Sequence, residues 1–249
     1  MVRPTALISG VGRVVGLGAA VARRLADDGW DLALTYWTLY DDRMPWGVQP
    51  HDVDYIQREI ASAGARVVSI EANLEKPESA GEIFKAATRK LGPISALVLS
   101  HCEGVDSGIM DTTVESFDRH FAVNARASWQ LIRELACQVP QKGGHIVALT
   151  NDDTVGNLPY GASKGALDRI VIAAARELSH LNITSNVVNP GPIDTGWMDE
   201  KTRKHLIERQ PTGRLGTPQD VANLIAFLLS PAGSWINGQL LKSDGGFSV

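Results

Sequence analysis

The stretch Ala6-Leu7-Ile8-Ser9-Gly10-Val11-Gly12-Arg13-Val14-Val15-Gly16-Leu17-Gly18 decides the fold of this 249-residue chain. A short apolar run that ends in glycine reads as a buried strand over residues 6–9. Residues 19–27 then read as a helix closed by Gly29. Glycines between a strand and a helix let the backbone approach a pyrophosphate, and the first N–H groups of that helix have no partner within it. The spacing differs from the G-x-G-x-x-G fingerprint, because three residues separate Gly12 from Gly16. Its place, after a first strand and opening a first helix, is what gives the turn a dinucleotide reading.

Outward from this turn the same order repeats. Further strands are expected over residues 31–36, 66–70, 96–100, 145–150, 184–188 and 239–242, with helices over 54–63, 77–90, 114–137, 161–178 and 218–229. Such alternation implies parallel strands with helices on both faces, a single doubly wound α/β domain of the Rossmann type over residues 1–249. Ligands in that architecture bind at the carboxyl ends of the strands. The least regular stretch, residues 37–53, holds Tyr40, Trp46 and His51. It reads either as a surface loop packed by its own aromatics or as a segment near the adenosine of a cofactor.

The chain is 44% hydrophobic, enough for a large core, and its net charge of −4 comes from interspersed residues of both signs. That pattern argues against a nucleic-acid-binding face and against a polybasic membrane patch. No signal-peptide layout and no apolar stretch of membrane-spanning length is present, so a soluble, cytoplasmic protein is expected. The two cysteines, Cys102 and Cys137, suit a reducing compartment, and no Cys/His spacing resembles a metal site. His101 beside Cys102 could suggest a base and a nucleophile. Neighbours at a strand end point apart, which favours a buried structural cysteine.

Tyr160 and Lys164 stand four residues apart at the start of an expected helix. That spacing puts phenol and ammonium on one face, where a cation lowers a phenol pKa and prepares it to exchange a proton with a carbonyl or alcohol oxygen. A plain surface helix would show the same pair. The second strand ends Tyr36-Trp37-Thr38, with no carboxylate before Asp41 to hold a ribose 2′-hydroxyl. With Arg13 inside the turn, this favours NADP(H) over NAD(H), because arginine pairs well with a 2′-phosphate. Arg13 could instead be solvated.

Taken with Asn124 in Phe121-Ala122-Val123-Asn124-Ala125, the run Asn189-Pro190-Gly191-Pro192-Ile193-Asp194-Thr195 and the closing Asp244-Gly245-Gly246, these motifs resemble the short-chain dehydrogenase/reductase family over nearly the whole chain. Arg214-Leu215-Gly216-Thr217-Pro218 is similar to its 3-oxoacyl-(acyl carrier protein) reductase branch. The resemblance implies an NADP(H)-dependent interconversion of a ketone and a secondary alcohol, on a small-molecule substrate, in a homotetramer or homodimer. Tyr160 would be the acid/base, Lys164 would lower its pKa and hold the nicotinamide ribose, and Asn124 would hold a water that relays protons. Ile193 and Thr195 would fix the carboxamide, in one cofactor loop with Pro190 and Gly191. Asn73, with Leu74, stands where the family contacts adenine. Gly10, Gly12, Arg13, Gly16, Leu17, Gly18, Trp37 and Ser100 complete the expected cofactor set.

The chain departs from the family in three places. If Gly10 ends the strand, the glycine loop is longer than usual. Leu99-Ser100-His101-Cys102 replaces the usual Asn-Asn-Ala-Gly after the fourth strand. Asn151 stands where a catalytic serine is expected, and the loop from it to Tyr160 is short. Asn151 would supply an amide donor to the substrate oxygen, or Thr150 or Thr154 a hydroxyl. Were the site turned to other work, it would serve a cyclase, dehydratase or epimerase, or bind cofactor without turnover. Residues 194–211 would form a substrate lid, with Trp197 and Met198 giving apolar contact there or packing in the core.

Overall fold

A computed structural model describes residues 3–249. Strands β1 (Thr5–Ser9), β2 (Asp31–Tyr36), β3 (Val67–Glu71), β4 (Ala96–Leu99), β5 (Gly144–Leu149), β6 (Ile183–Asn189) and β7 (Leu240–Lys242) form one sheet. The helices are α1 (Leu17–Asp27), α2 (Thr38–Arg43), α3 (Asp52–Ser62), α4 (Ser79–Leu91), α5 (Val114–His120), α6 (Ala127–Gln138), α7 (Leu158–Glu177), α8 (Glu200–Arg209) and α9 (Pro218–Leu228). Strand order is β3-β2-β1-β4-β5-β6-β7, and the pairings are all parallel. The expected doubly wound α/β sheet is therefore present. Its order reverses between β1 and β4, and a crevice for ligand opens at the carboxyl ends there.

Every residue of β1 is buried, as a strand covered on both faces requires. Successive side chains point to opposite faces. Ile8 therefore packs with Val21 and Leu25 of α1, Ile56 of α3 and Ile225 of α9, whereas Leu7 packs with Ile83 of α4, Leu131 of α6 and Val171 of α7. These two cores fix α1 and α7 on opposite sides of the crevice, each with its N-terminal end near the strand ends.

Two helices lie where irregular chain is expected. α2 occupies the start of the 37–53 connection and α8 lies in the lid segment, and neither contains a buried residue. Without an apolar face, neither leaves a helical period in the sequence. The expected long helix over 114–137 is instead α5 and α6 joined by a π-helical stretch, Phe121–Arg126, which carries Asn124. α7 begins at Leu158, earlier than expected, with Pro159 in its first turn where a missing N–H leaves no helix bond unmade. Among the described residues no helix is long and apolar enough to cross a membrane, and no cluster of ligands could hold a metal ion.

Candidate active site

The crevice holds a cavity of about 280 Å³. Gly10, Gly12, Arg13, Gly16, Leu17, Trp37, Asn73, Leu74, Ser100 and Thr195 of the expected cofactor set line it. At its floor Gly10 has φ +77, and a Cβ there would stand 2.7 Å from the backbone of His101, so only glycine lets β1 and β4 turn out side by side. Gly18 serves packing: a Cβ would meet the Gly10 carbonyl at 2.7 Å, and the residue holds α1 against β1. Gly16 caps α1 with no side-chain hydrogen bond, so the first N–H groups of the helix are left for an anion. With Gly10, Gly12 and Gly16 on its wall and the first turn of α1 uncapped by any side chain, this cradle suits the pyrophosphate of a dinucleotide.

The longer glycine loop is absorbed in two ways. Val11 is buried and its N–H donates to the Thr35 carbonyl at 2.7 Å, which extends the seam between β1 and β2 by one bond. Residues of the 37–53 connection and the start of α3 then brace what remains. Val14 N–H donates to Asp52 Oδ2 at 2.9 Å, and the Arg13 guanidinium lies 4.5 Å over the Trp46 ring. Trp46 Nε1 donates to Asp41 Oδ1 at 2.9 Å, and Asp41 Oδ2 sits 2.7 Å from where a Cβ on Gly12 would be. The 37–53 connection thus lies against the crevice, with the rings of Tyr40 and Trp46 tilted against each other at 6.3 Å.

Arg13 lines the cavity and is held from across it. Its Nη2 donates to the Thr195 carbonyl at 2.9 Å, so the guanidinium spans the crevice from the glycine turn to the loop after β6. Asp41, further along the chain, folds back against Gly12.

The rebuilt turn after β4 divides its side chains. His101 is buried, with Nδ1 2.6 Å from Ser9 Oγ and Nε2 3.0 Å from the Val123 carbonyl. Burial, reinforced by Lys164, lowers its pKa to about 3, so it is neutral at physiological pH. Both residues line the cavity; the Cys102 thiol is half-buried and lies 4.0 Å from the Tyr40 hydroxyl. The two are no base and nucleophile, and Cys102 is a wall residue rather than a core one. Glu103, which the sequence reading missed, is buried and paired on both oxygens with Arg43 at 3.1 and 2.8 Å. That pair ties α2 to the turn.

Facing this wall is the corner that holds Asn124, Tyr160 and Lys164. Asn124 is fully buried; its Oδ1 accepts from Glu103 N–H at 2.8 Å, and its Nδ2 donates to the Glu103 carbonyl and Ser163 Oγ, each at 2.9 Å. Ser163 Oγ in turn donates to the Tyr160 carbonyl at 2.8 Å. The Asn124 amide is therefore taken by protein groups that position the turn and Tyr160, rather than being aimed at Lys164. π-helical insertions often mark functional sites, and this one is what turns Asn124 inward. Lys164 is buried, donates to the Leu149 carbonyl at 2.9 Å, and has Nζ 5.6 Å from the Tyr160 ring centre.

The phenol pKa is raised here rather than lowered. Burial pushes Tyr160 well above its ordinary value, with Cys102 and then Asp106 adding to it. Burial likewise lowers Lys164, opposed by Cys102 and Asp168. Tyr160 is thus held as a protonated phenol, the form that donates.

Among the replacements for serine, Asn151 uses Oδ1 to accept Asp153 N–H, and its Nδ2 makes no hydrogen bond among the described residues. Thr150 is buried with its hydroxyl unpartnered, close to Asp168. Thr154 is exposed. Pro190 and Gly191 follow β6, where a Cβ on Gly191 would stand 2.5 Å from Asp244 Cβ, and Ile193 is buried and bridges to Gly216. Trp197 lines the cavity and is half-exposed, which places it at the mouth rather than in the core.

A parallel sheet with a glycine turn at its switch point, opposed by a half-buried tyrosine and a buried lysine, defines the class of dinucleotide-binding oxidoreductases. A sequence profile described as enoyl-(acyl carrier protein) reductase matches residues 10–248. The chain is 34% identical to the uncharacterized oxidoreductase YjdA of Bacillus subtilis, over 97% of this chain and 96% of that one. It is 33% identical to an NADPH-dependent aldehyde reductase-like protein, chloroplastic, of Arabidopsis thaliana, over 97% and 93%. A short-chain dehydrogenase from Burkholderia cenocepacia in complex with NADP superposes with a TM-score of 0.88 at 28% identity, over 100% and 99%. The chain belongs to the short-chain dehydrogenase/reductase family, and it is an oxidoreductase.

Proposed function

We propose that this enzyme reduces a ketone to a secondary alcohol, and catalyses the reverse oxidation, on a small 3-oxoacyl-like substrate with NADP(H) as the preferred cofactor. The observation that carries the reading is Tyr160: a half-buried phenol whose pKa is raised, fixed through its carbonyl by Ser163 and, behind it, Asn124, beside Lys164. A bound nicotinamide supplies hydride. The chain supplies the rest. Tyr160 Oη donates a proton to the substrate oxygen as negative charge develops there, and Asn151 Nδ2 donates a hydrogen bond to the same oxygen. Lys164, Asn124 and Ser163 hold Tyr160 and the floor of the site in place.

On the cofactor side, the N–H groups at the start of α1 receive the pyrophosphate, and Asn73 and Leu74 flank the adenine. Pro190, Gly191, Ile193 and Thr195 shape the nicotinamide end. Arg13 in the glycine turn, and the NADPH and NADP in the names of similar proteins, support the NADP(H) preference. Exposed Phe117 and Trp129 on α5 and α6, with Trp235 and Leu240 near the C-terminus, support a homotetramer packed through those faces. The functional test is NADPH oxidation against a panel of ketones. Consumption matched by alcohol formation is expected, and a blank across the panel refutes the reading. A non-redox reaction on the same scaffold is the competitor, favoured by Asn151 in the serine position; product formed without nicotinamide would establish it.

A further inference from the structure

The cofactor preference proposed above takes Arg13 as a partner for a 2′-phosphate, yet the charges at that end of the crevice are already committed. The Arg13 guanidinium is bonded to the Thr195 carbonyl and stacked on Trp46. Arg43, the other arginine lining the cavity, has both Nη atoms on Glu103. One carboxylate is differently placed. Asp41 lines the cavity, is fixed through Oδ1 by Trp46 Nε1, and has Oδ2 turned to the bare face of Gly12 with no donor on it among the described residues. Gly12 also lines the cavity, and its lack of a Cβ is what admits Asp41 Oδ2 to that wall.

We propose that Asp41 is a cofactor-specificity residue: Oδ2 accepts a hydrogen bond from an adenosine ribose hydroxyl, gives the site real affinity for NAD(H), and narrows its preference for NADP(H). The proposal rests on the dinucleotide reading of the crevice. It differs from the usual arrangement in its source, a short helix beyond the second strand rather than the strand end. Asp41 reaches Gly12 because α2 turns the chain back over the lengthened glycine loop. A carboxylate accepts from a ribose hydroxyl and repels a phosphate at the same point, so a single side chain moves the two affinities in opposite directions.

The test is a calorimetric titration of the purified, full chain with NAD⁺ and with NADP⁺. Wild type is expected to bind both. Asp41→Asn keeps an oxygen for Trp46 and removes the charge, and the ratio of NADP⁺ to NAD⁺ affinity should rise by at least about tenfold. Asp41→Ala should move the ratio the same way, and Asp42→Asn, its exposed neighbour, should leave it unchanged. An unchanged ratio in both Asp41 variants, with native circular dichroism, overturns the proposal while the dinucleotide reading stands. Binding of neither nucleotide by wild type overturns both.

Discussion

The crevice has two walls held in opposite ways. On the side of α7 and the π-helical stretch, Asn124 and Ser163 are 0% exposed and Lys164 is 2% exposed, and each bonds to backbone. On the side of α2, the contacts run through half-exposed aromatics and arginines: Trp46 beneath Arg13, Arg43 across to Glu103, Thr38 to Glu71. Buried amide and hydroxyl networks are costly to disturb, because each lost partner leaves a desolvated group unpaired. Contacts at the surface are screened and individually weak. The difference assigns work. Under the proposed function, the first wall would hold Tyr160 for proton transfer, and the second would meet the cofactor and tolerate change without loss of the fold.

The sharpest way to break this division is at Tyr160. Tyr160→Phe should lower turnover by about 10²–10⁴ while NADP⁺ affinity stays within a few-fold, read by steady-state rates and calorimetry. A parallel loss of binding would mean that the corner holds the cofactor rather than the proton. Its pH dependence follows from the raised phenol. Tyr160 stays protonated as pH rises past its ordinary value, so ketone reduction should be flat from neutrality to about pH 9, whereas alcohol oxidation, which needs the deprotonated form, should climb throughout.

Asn124→Ala comes next. It strands the Glu103 N–H and carbonyl, and should cost about 3 kcal/mol, or about 6–12 °C in Tm. Asn151→Ser asks whether the half-buried amide is an adequate donor: a gain in kcat approaching about 10² would show a site tuned down by its asparagine, and no gain would show that the amide suffices. The smallest effect lies outside both walls. Thr217 and Asp220 form a reciprocal cap at the start of α9, and Thr217→Ala should cost about 1 kcal/mol with kcat unchanged. Asp220 in that cap has its pKa lowered to about 2, chiefly by Arg214, so its contribution is present above the usual carboxylate range and fades as pH falls toward 2.

The same contrast governs what could be read in the sequence. β1, the glycine turn and the Tyr160–Lys164 helix were legible because burial on a sheet and spacing on a helix impose periods. The π-helical stretch around Asn124 has no period of its own, yet the residue itself stood out by its place in a family pattern. α2 left no trace, since none of its residues is buried, and Asp41 was discounted as lying too far from the strand end. Its return to Gly12 depends on three-dimensional turns that linear spacing does not encode. Glu103 gave no signal at all: its meaning lies in Arg43, sixty residues earlier. The lowered phenol pKa expected from the i, i+4 spacing failed for a related reason. Spacing places a lysine near a tyrosine, but burial, which raises the phenol, is a property of the folded corner.

The central claim, that this crevice joins hydride transfer to proton donation by Tyr160, is tested most directly by supplying NADPH labelled with deuterium at the transferable position together with an accepted ketone. The account predicts the label on the carbinol carbon of the alcohol formed by wild type, and loss of that product with folded Tyr160→Phe. Unlabelled alcohol, or product formed equally well without nicotinamide, would contradict it.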